Sequence, residues 1–120
     1  MEKEKIIEEF LGTCGRDMYG IVNLIEKHGF QLIKSVDFKS YPRITSFYQN
    51  GVKNKIIVIP AYLPYDRAIW LLKYMMIAYL MKPEEDIYIT IDQHYSYNQE
   101  INDIIVEIDK AFNYECKRSK

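Results

Sequence analysis

The stretch NGVKNKIIVIPAYLPYDRAIWLLKYMMIAYLMKP, residues 50–83, decides the fold of this 120-residue chain. Asn50-Gly51 is a strong signal for a tight antiparallel hairpin. The KIIVI run that follows is apolar on both faces, which predicts a central or helix-covered strand. Pro64 suits the first turn of a helix, and the apolar residues after it predict one long helix that ends before Pro83. A hairpin, a buried strand and a buried helix are therefore expected in succession.

Two helical segments and two strand-like segments precede this stretch. Residues 1–12 and RDMYGIVNLIEKHG show apolar residues at helical spacing, with Asp17 as the cap of the second helix and Gly29 as its stop. Its expected buried stripe is Tyr19, Val22, Leu24 and Ile25. FQLIKSVDF and RITSFYQ are rich in β-branched and aromatic residues, which favours strands.

The segment NQEINDIIVEIDKAFN predicts a C-terminal amphipathic helix. Its inward residues are expected to be Ile101, Ile104, Ile105, Ile108 and Phe112. The fold class is therefore α+β, with a small antiparallel sheet of about three strands and helices packed against it. The helices are an N-terminal helical segment, a central apolar helix and the C-terminal amphipathic helix. One domain is expected to span residues 1–120, since no linker or repeat interrupts the chain.

Cysteine usage and hydropathy favour a soluble cytoplasmic protein. Cys14 and Cys116 lie near opposite ends of the chain and outside any zinc-ligand spacing, so reduced thiols are expected. The N-terminal segment MEKEKIIEEF is charged and lacks the apolar core of a signal peptide. The longest apolar run, residues 68–81, is too short to span a bilayer. No membrane association is expected.

Charge is unevenly distributed along the chain. Residues 83–109 carry eight carboxylates and no Lys or Arg, which predicts a surface that meets a basic partner and argues against direct nucleic-acid binding through this half. The candidate partner-binding residues are Glu84, Glu85, Asp86, Tyr88, Asp92, Tyr95 and Tyr97. A solvated helix face is the simpler interpretation of the same charges. The lysines and arginines at positions 34–55 surround an aromatic strand, but nearby acids offset much of their charge.

The order of helix, hairpin, IVIP, long helix and EINDIIVEI resembles the ImmA/IrrE family of gluzincin-type metallopeptidases, which is common in phages and mobile elements. In that family a strand similar to IVIN leads into a helix that carries HExxH. The family's common HELGHYLLH falls on residues 74–82 without a gap, and its downstream pattern EANxFAxELL begins at Glu100. The resemblance covers approximately residues 17–112.

The residues that this chemistry requires are absent. Two histidines at i and i+4 would hold zinc from one helix face, and a glutamate would activate the bound water. The resemblance puts Tyr74 and Ala78 at the histidine positions, Met75 at the glutamate position and Glu100 at the third ligand. It therefore implies a vestigial cleft that binds no metal and has no catalytic residue. The chain is expected to be a pseudoenzyme without a cofactor.

Other catalytic or metal-binding arrangements find little support. Asp92 and His94 alternate on one strand-like segment and Glu100 follows, which allows a replacement metal site, although a polar strand end before a capped helix is the simpler interpretation. His28 precedes Gly29 at a helix end, where a cation suits the dipole, so a structural role is expected. The chain has no GxSxG, no Walker-type loop and no GxGxxG.

Two binding functions remain as hypotheses. The resemblance implies a regulator of a phage or mobile element, of the antirepressor type, that binds and modulates another protein such as a repressor. The acidic, tyrosine-rich segment instead favours a counter-defence inhibitor, such as an anti-CRISPR protein, that blocks the basic groove of a nucleic-acid-handling protein. The eleven tyrosines also allow a homo-oligomer, because tyrosine-rich surfaces pair well.

Overall fold

The hairpin at Asn50-Gly51 organises the sheet. The computed structural model describes residues 1–37, 42–83, 87–88 and 98–118. Strands β2 (Arg43–Gln49) and β3 (Val52–Pro60) pair antiparallel, and they are joined directly through Asn50 and Gly51. These two residues have φ angles of 52° and 78°. Two successive positive φ angles are typical of a type I′ turn, so the predicted tight hairpin is confirmed.

Strand β3 lies at the centre of a mixed sheet. With β1 (Phe30–Ser35) and the two-residue β4 (Ile87–Tyr88), the strand order is β1-β3-β2-β4. The predicted α+β class is confirmed, but the prediction of an antiparallel sheet is wrong for one pair, since β1 runs parallel to β3. The hairpin signal determines only how β2 meets β3. No local sequence signal specifies the side of β3 on which β1 lies.

The helices begin and end close to their sequence signals. They are α1 (Lys3–Gly12), α2 (Met18–Lys27), α3 (Tyr65–Met81) and α4 (Gln99–Arg118). Asp17 caps α2, because its side chain accepts a hydrogen bond of 2.9 Å from the Gly20 N–H. Gly29 follows α2 with a φ of 80°, which suits glycine at a helix stop. Pro64 directly precedes α3, as the sequence predicts.

The helices pack on one face of the sheet, which we call the inner face. Ile44 of β2 lies opposite Ile57 of β3, so both side chains point to the same side. Both belong to one hydrophobic core with residues from all four helices. Helix α3 packs against α1, α2, α4 and β2, so the predicted central helix is confirmed. The opposite side of the sheet, the outer face, has Ile33 and Val58 in register.

Burial follows the predictions for the helices with three exceptions. The five inward residues predicted for α4 are all buried. In α2, however, the side chain of Tyr19 is 79% exposed, so its predicted burial is wrong. Ile21, Leu24 and Ile25 form the buried stripe at i, i+3 and i+4. That orientation turns Tyr19 to solvent and leaves Val22, also predicted to be buried, only half-buried. The run from residue 68, apolar on nearly every side, also predicts a buried Trp70, but this residue of α3 is only half-buried.

Candidate functional site

Three of the four residues of the predicted vestigial cleft lie on α3, on two of its faces, and the fourth lies on α4. Tyr74 and Ala78 are four residues apart, so they share one face, and both are half-buried. Met75 lies on the adjoining face, where its side chain is 0% exposed and belongs to the hydrophobic core. Glu100 is exposed in the first turn of α4. The position that a catalytic base would need is therefore occupied by a core side chain.

Tyr74 connects α3 to the start of α4. The backbone N–H of Asn98 donates a hydrogen bond of 3.2 Å to the phenol oxygen of Tyr74. The side-chain oxygen of Asn98 accepts in turn from the backbone N–H of Glu100 at 3.0 Å and of Ile101 at 3.4 Å, which caps α4. The structure thus brings Tyr74 and Glu100 to the same corner through Asn98. The phenol at the first ligand position acts there as a structural acceptor.

This set of side chains does not fit zinc. Ala78 has no donor atom, the thioether of Met75 is enclosed in the core, and the phenol oxygen of Tyr74 is engaged by Asn98. Zinc in proteins prefers imidazole, thiolate and carboxylate ligands in a tetrahedral arrangement. Within the described part of the chain, no three His, Cys, Asp or Glu side chains are placed to hold a metal ion. Asp92 and His94 of the alternative metal site lie outside the described residues.

A half-buried aromatic pair extends the cleft face of α3. The rings of Trp70 and Tyr74 have centroids 5.3 Å apart and planes inclined by 32°. Residues 70, 74 and 78 follow one another at a spacing of four, so they form a single stripe along the helix. The sequence did not predict this stripe. Helix α3 is apolar on nearly every side, so its pattern does not indicate which side is only half-buried.

Most of the predicted partner-binding residues cannot be placed. Glu84, Glu85, Asp86, Asp92, Tyr95 and Tyr97 lie outside the described residues, and Tyr88 is placed only by its backbone in β4. The acidic segment continues into α4, where Lys3 forms a 2.6 Å ion pair with Glu107 and Lys73 a 3.3 Å ion pair with Asp109. The contact with Glu107 raises the pKa of Lys3. Part of the acidic segment is therefore neutralised within the molecule.

Lys73 is the buried charged residue in the middle of α3. Its side chain packs where α3 meets α4, and only 8% of the residue is exposed. The ammonium group donates to the Asp109 carboxylate, which is itself half-exposed. A buried amine needs such a partner, because an unpaired charge in a core is strongly unfavourable. The ion pair explains why a lysine interrupts an otherwise apolar helix.

A polar cluster joins α1 to the end of α2. Lys27 donates a hydrogen bond of 2.8 Å to Glu9, and the Nε2 atom of His28 lies 3.2 Å from the same carboxylate oxygen. The hydrogen bond from Lys27, with a smaller contribution from His28, lowers the pKa of Glu9 although partial burial opposes the change. The ring of His28 also meets Tyr79 edge-on at 6.0 Å. This supports the structural role predicted for His28.

A second cluster surrounds Lys55 on the inner face of β3. Its ammonium nitrogen lies 4.8 Å from the ring centroid of Phe30 and 5.3 Å from that of Tyr79. The same nitrogen donates a 3.2 Å hydrogen bond to the Tyr79 hydroxyl. These cation–π and hydrogen-bond contacts tie the end of α3 to β1 and β3. No pattern in the sequence predicts this cluster, since it depends on the parallel β1–β3 register.

The β2–β3 hairpin projects beyond the rest of the sheet. We call residues 46–53 the arm. Every residue of the arm is exposed, including three large apolar ones: Phe47 at 45%, Tyr48 at 73% and Val52 at 62%. The pairing of β1 with β3 starts only at Lys55, and that of β4 with β2 is limited to residues 43–44. In the described structure, both edges of the arm therefore lack a neighbouring strand.

The arm lies in a segment without carboxylates. Residues 38–65 contain Lys39, Arg43, Lys53 and Lys55 and no Asp or Glu. Within the arm, Lys53 pairs across the strands with Tyr48, so the two side chains share one face. Alternate residues of a strand point to the same side, so Lys53 lies on the same face of β3 as Lys55 and Ile57. The Tyr48–Lys53 face of the arm therefore continues the inner face of the sheet.

Among the described residues, no helix has the length and apolar character needed to cross a membrane. A comparison of the chain with known protein families, curated proteins and solved structures finds no match. The resemblance to ImmA/IrrE peptidases consequently stays a prediction from the sequence, and the function is argued from the side chains.

Proposed function

We propose that this chain binds another protein and changes its activity, without zinc and without catalysing a reaction. The observation that carries the proposal is the composition of the cleft on α3. Met75, which would have to act as base, is fully enclosed in the core, and Ala78 has no ligand atom. Tyr74 serves as an acceptor for the start of α4. The cleft therefore lacks both the catalytic base and the zinc ligands that the peptidase reaction requires.

The resemblance supports a regulator of a phage or mobile element as the biological setting. Proteins of that family recognise repressors and other regulators, so a relative without the catalytic residues retains docking as its function. The half-buried stripe of Trp70 and Tyr74 on α3 supports this, because partly exposed aromatic rings are enriched where proteins bind one another. A repressor is the first partner to test.

A second candidate is a counter-defence inhibitor of the anti-CRISPR type. It is supported by the charge of residues 83–109, in which Glu100 and Asp103 are exposed on α4. An acidic surface of this kind competes with nucleic acid for a basic groove and speeds the encounter with it. The two candidates differ in their partner, and both assign no catalysis to the chain.

Metal content tests the shared part of the proposal. We expect elemental analysis of the purified protein, after mild chelation, to find far less than one zinc ion per chain. The phenol of Tyr74 and the thioether of Met75 bind zinc poorly, and Ala78 cannot bind it. One tightly held zinc ion per chain would overturn the proposal that the cleft is vestigial.

Association kinetics test the partner and the acidic surface. We expect the protein to bind either a purified helix-turn-helix repressor or an RNA-guided nuclease from its host. The triple variant Glu84→Lys, Glu85→Lys, Asp86→Lys should associate more slowly at low salt, with a smaller effect at high salt. The matched control reverses three exposed carboxylates on or beside α1: Glu2, Glu4 and Glu8.

The control variant should associate nearly as fast as the unmodified protein. Equal rates for the acidic-run variant and the unmodified protein would remove residues 84–86 from the interface. Binding to neither class of partner would reject both candidate functions.

A further inference from the structure

The arm has an uncovered inner face. The helices cover the inner face of the sheet as far as Lys55, which contacts Tyr79 of α3. The arm continues for four residues past that point to Gly51, which corresponds to about 13 Å of strand. Tyr48 and Lys53 therefore present a flat apolar and basic surface where the layer of helices has ended. A further helix laid on this surface would continue the layer.

The outer side of α4 has the complementary character. Val106 is 51% exposed there, and Asp103 lies one turn before it on the same face. Residues 98–109 contain four carboxylates and no Lys or Arg. Glu107 and Asp109 form ion pairs with Lys3 and Lys73. Asp103 accepts a hydrogen bond of 2.9 Å from Gln99 and contributes, behind Glu107, to the raised pKa of Lys3. Asp103 forms no direct ion pair with Lys3, and its exposed carboxylate lies beside an apolar side chain.

We propose that this protein forms a symmetric dimer in which the arm of each copy packs on α4 of the other. Tyr48 would cover Val106, and Lys53 would pair with Asp103. The arm and Val106 are both exposed within one chain, so the contact needs a second copy. A twofold axis produces the contact twice, and the two small surfaces then act together. This dimer is independent of the proposed regulatory function.

Charge and shape favour a protein surface over nucleic acid as the occupant. The arm has a single cation, Lys53, and the chain has a net charge of −1. Nucleic-acid binding draws its affinity from several phosphate contacts made together. A partner with one carboxylate next to an apolar side chain fits the Tyr48–Lys53 pair more closely, and α4 of this chain supplies that arrangement.

Sedimentation velocity over a range of protein concentrations tests the dimer. We expect a monomer–dimer equilibrium with a Kd on the order of 10 μM, which is typical of a modest interface. Lys53→Glu and Asp103→Lys should each weaken the dimer about tenfold, because each places like charges together twice. Both residues are exposed, so each variant should keep the thermal midpoint of the unmodified protein.

Mixing the two variants gives the decisive measurement. In a mixed dimer, the carboxylate introduced at position 53 of one copy faces the ammonium group introduced at position 103 of the other. The second contact keeps its natural pair of Lys53 and Asp103, so the equimolar mixture should regain the affinity of the unmodified protein. Lys5→Glu and Glu26→Lys, exposed on α1 and α2, provide the matched control with charge reversals of the same size, and their dimers should be unaffected.

Three results would overturn the proposal. The first is an unmodified protein that stays monomeric at all concentrations. The second is a mixture of Lys53→Glu and Asp103→Lys that dimerises no better than either variant alone. The third is a monomeric protein that binds a single-stranded oligonucleotide and loses this binding in Tyr48→Ser, which would assign the arm to nucleic acid instead.

Discussion

Helix α3 and the arm are both rich in apolar side chains, yet they lie in opposite environments. Helix α3 encloses Met75, Met76 and Ile77 completely, whereas the arm exposes Phe47 and Tyr48. The difference arises from the neighbouring elements. Helix α3 is surrounded by three helices and the sheet, whereas the arm extends beyond the helices and beyond the strands that flank β2 and β3. Apolar content therefore predicts the type of element, while neighbouring layers decide whether its side chains are available for binding.

The largest expected effect separates the two regions by stability. Ile77→Ala should lower the free energy of unfolding by about 2–5 kcal/mol, because it leaves a cavity in a closed core. Val52→Ala on the arm removes two methyl groups that already contact water, so it should change stability by about 0.5 kcal/mol or less. Urea unfolding measures both. Similar losses for the two variants would mean that the arm is packed against the body.

A second comparison concerns the buried charge of α3. Asp109→Ala should lower stability by about 1–2 kcal/mol, since it leaves the ammonium of Lys73 without its partner. Lys73→Met keeps the length of the side chain and removes the charge, so it should be close to neutral. Asp103→Ala, exposed on the same helix, is the control for thermal unfolding. A larger loss in Lys73→Met than in Asp109→Ala would contradict this account of the pair.

Tyrosine hydroxyls provide a smaller comparison. Tyr74→Phe removes the acceptor for the Asn98 N–H and should cost about 1 kcal/mol. It should also raise the rate of hydrogen exchange at the start of α4. Tyr48→Phe on the arm removes a solvated hydroxyl and should change neither quantity. Unaltered exchange at Asn98 in Tyr74→Phe would show that α4 is held by its own cap.

The smallest effect concerns the surface contact of Glu9 and Lys27, which belongs to neither region. The pKa of Glu9 is lowered from its ordinary value of 4.5, so the contact stabilises the fold above that pH and is lost as pH falls through the lower folded-state pKa. Glu9→Gln should cost about 0.5 kcal/mol near neutral pH.

Thermal unfolding at several pH values measures this contact. The difference between Glu9→Gln and the unmodified protein should shrink towards zero in acid. Glu8→Gln, exposed on the same helix, is the control. A difference that stays constant into strong acid would show that the carboxylate charge has no part in the contact.

Features with local causes could be predicted from the sequence. Asn50-Gly51 adopts the turn its residue types favour, Asp17 caps α2, and the isoleucines of α4 face the core because their spacing matches the helix. The central place of β3 also follows from its composition, since a strand that is apolar on both faces needs neighbours on both sides.

Features with non-local causes could not be predicted. The parallel pairing of β1 with β3 is not encoded by the residues of either strand, and the cluster around Lys55 depends on that pairing. Exposure of the arm follows from where β1 begins to pair with β3, which RITSFYQ does not encode. In the cleft, the sequence identifies Tyr74 as a candidate residue. Its hydrogen bond with Asn98 could not be predicted, because that contact depends on where α4 packs against α3. Local patterns determine the elements, and packing determines which surfaces stay open.

The contact between α1 and α4 has a consequence for synthesis on the ribosome. Helix α1 packs against α4, and Lys3 reaches Glu107 more than one hundred positions further along the chain. A growing chain emerges at about 5–20 residues per second, so α1 waits several seconds for this partner. During that time Ile6 and Phe10, which the finished protein encloses completely, lack part of their cover. The nascent chain is therefore exposed to chaperones and to aggregation at α1, which is made well before α4 and is secured only after α4 has emerged.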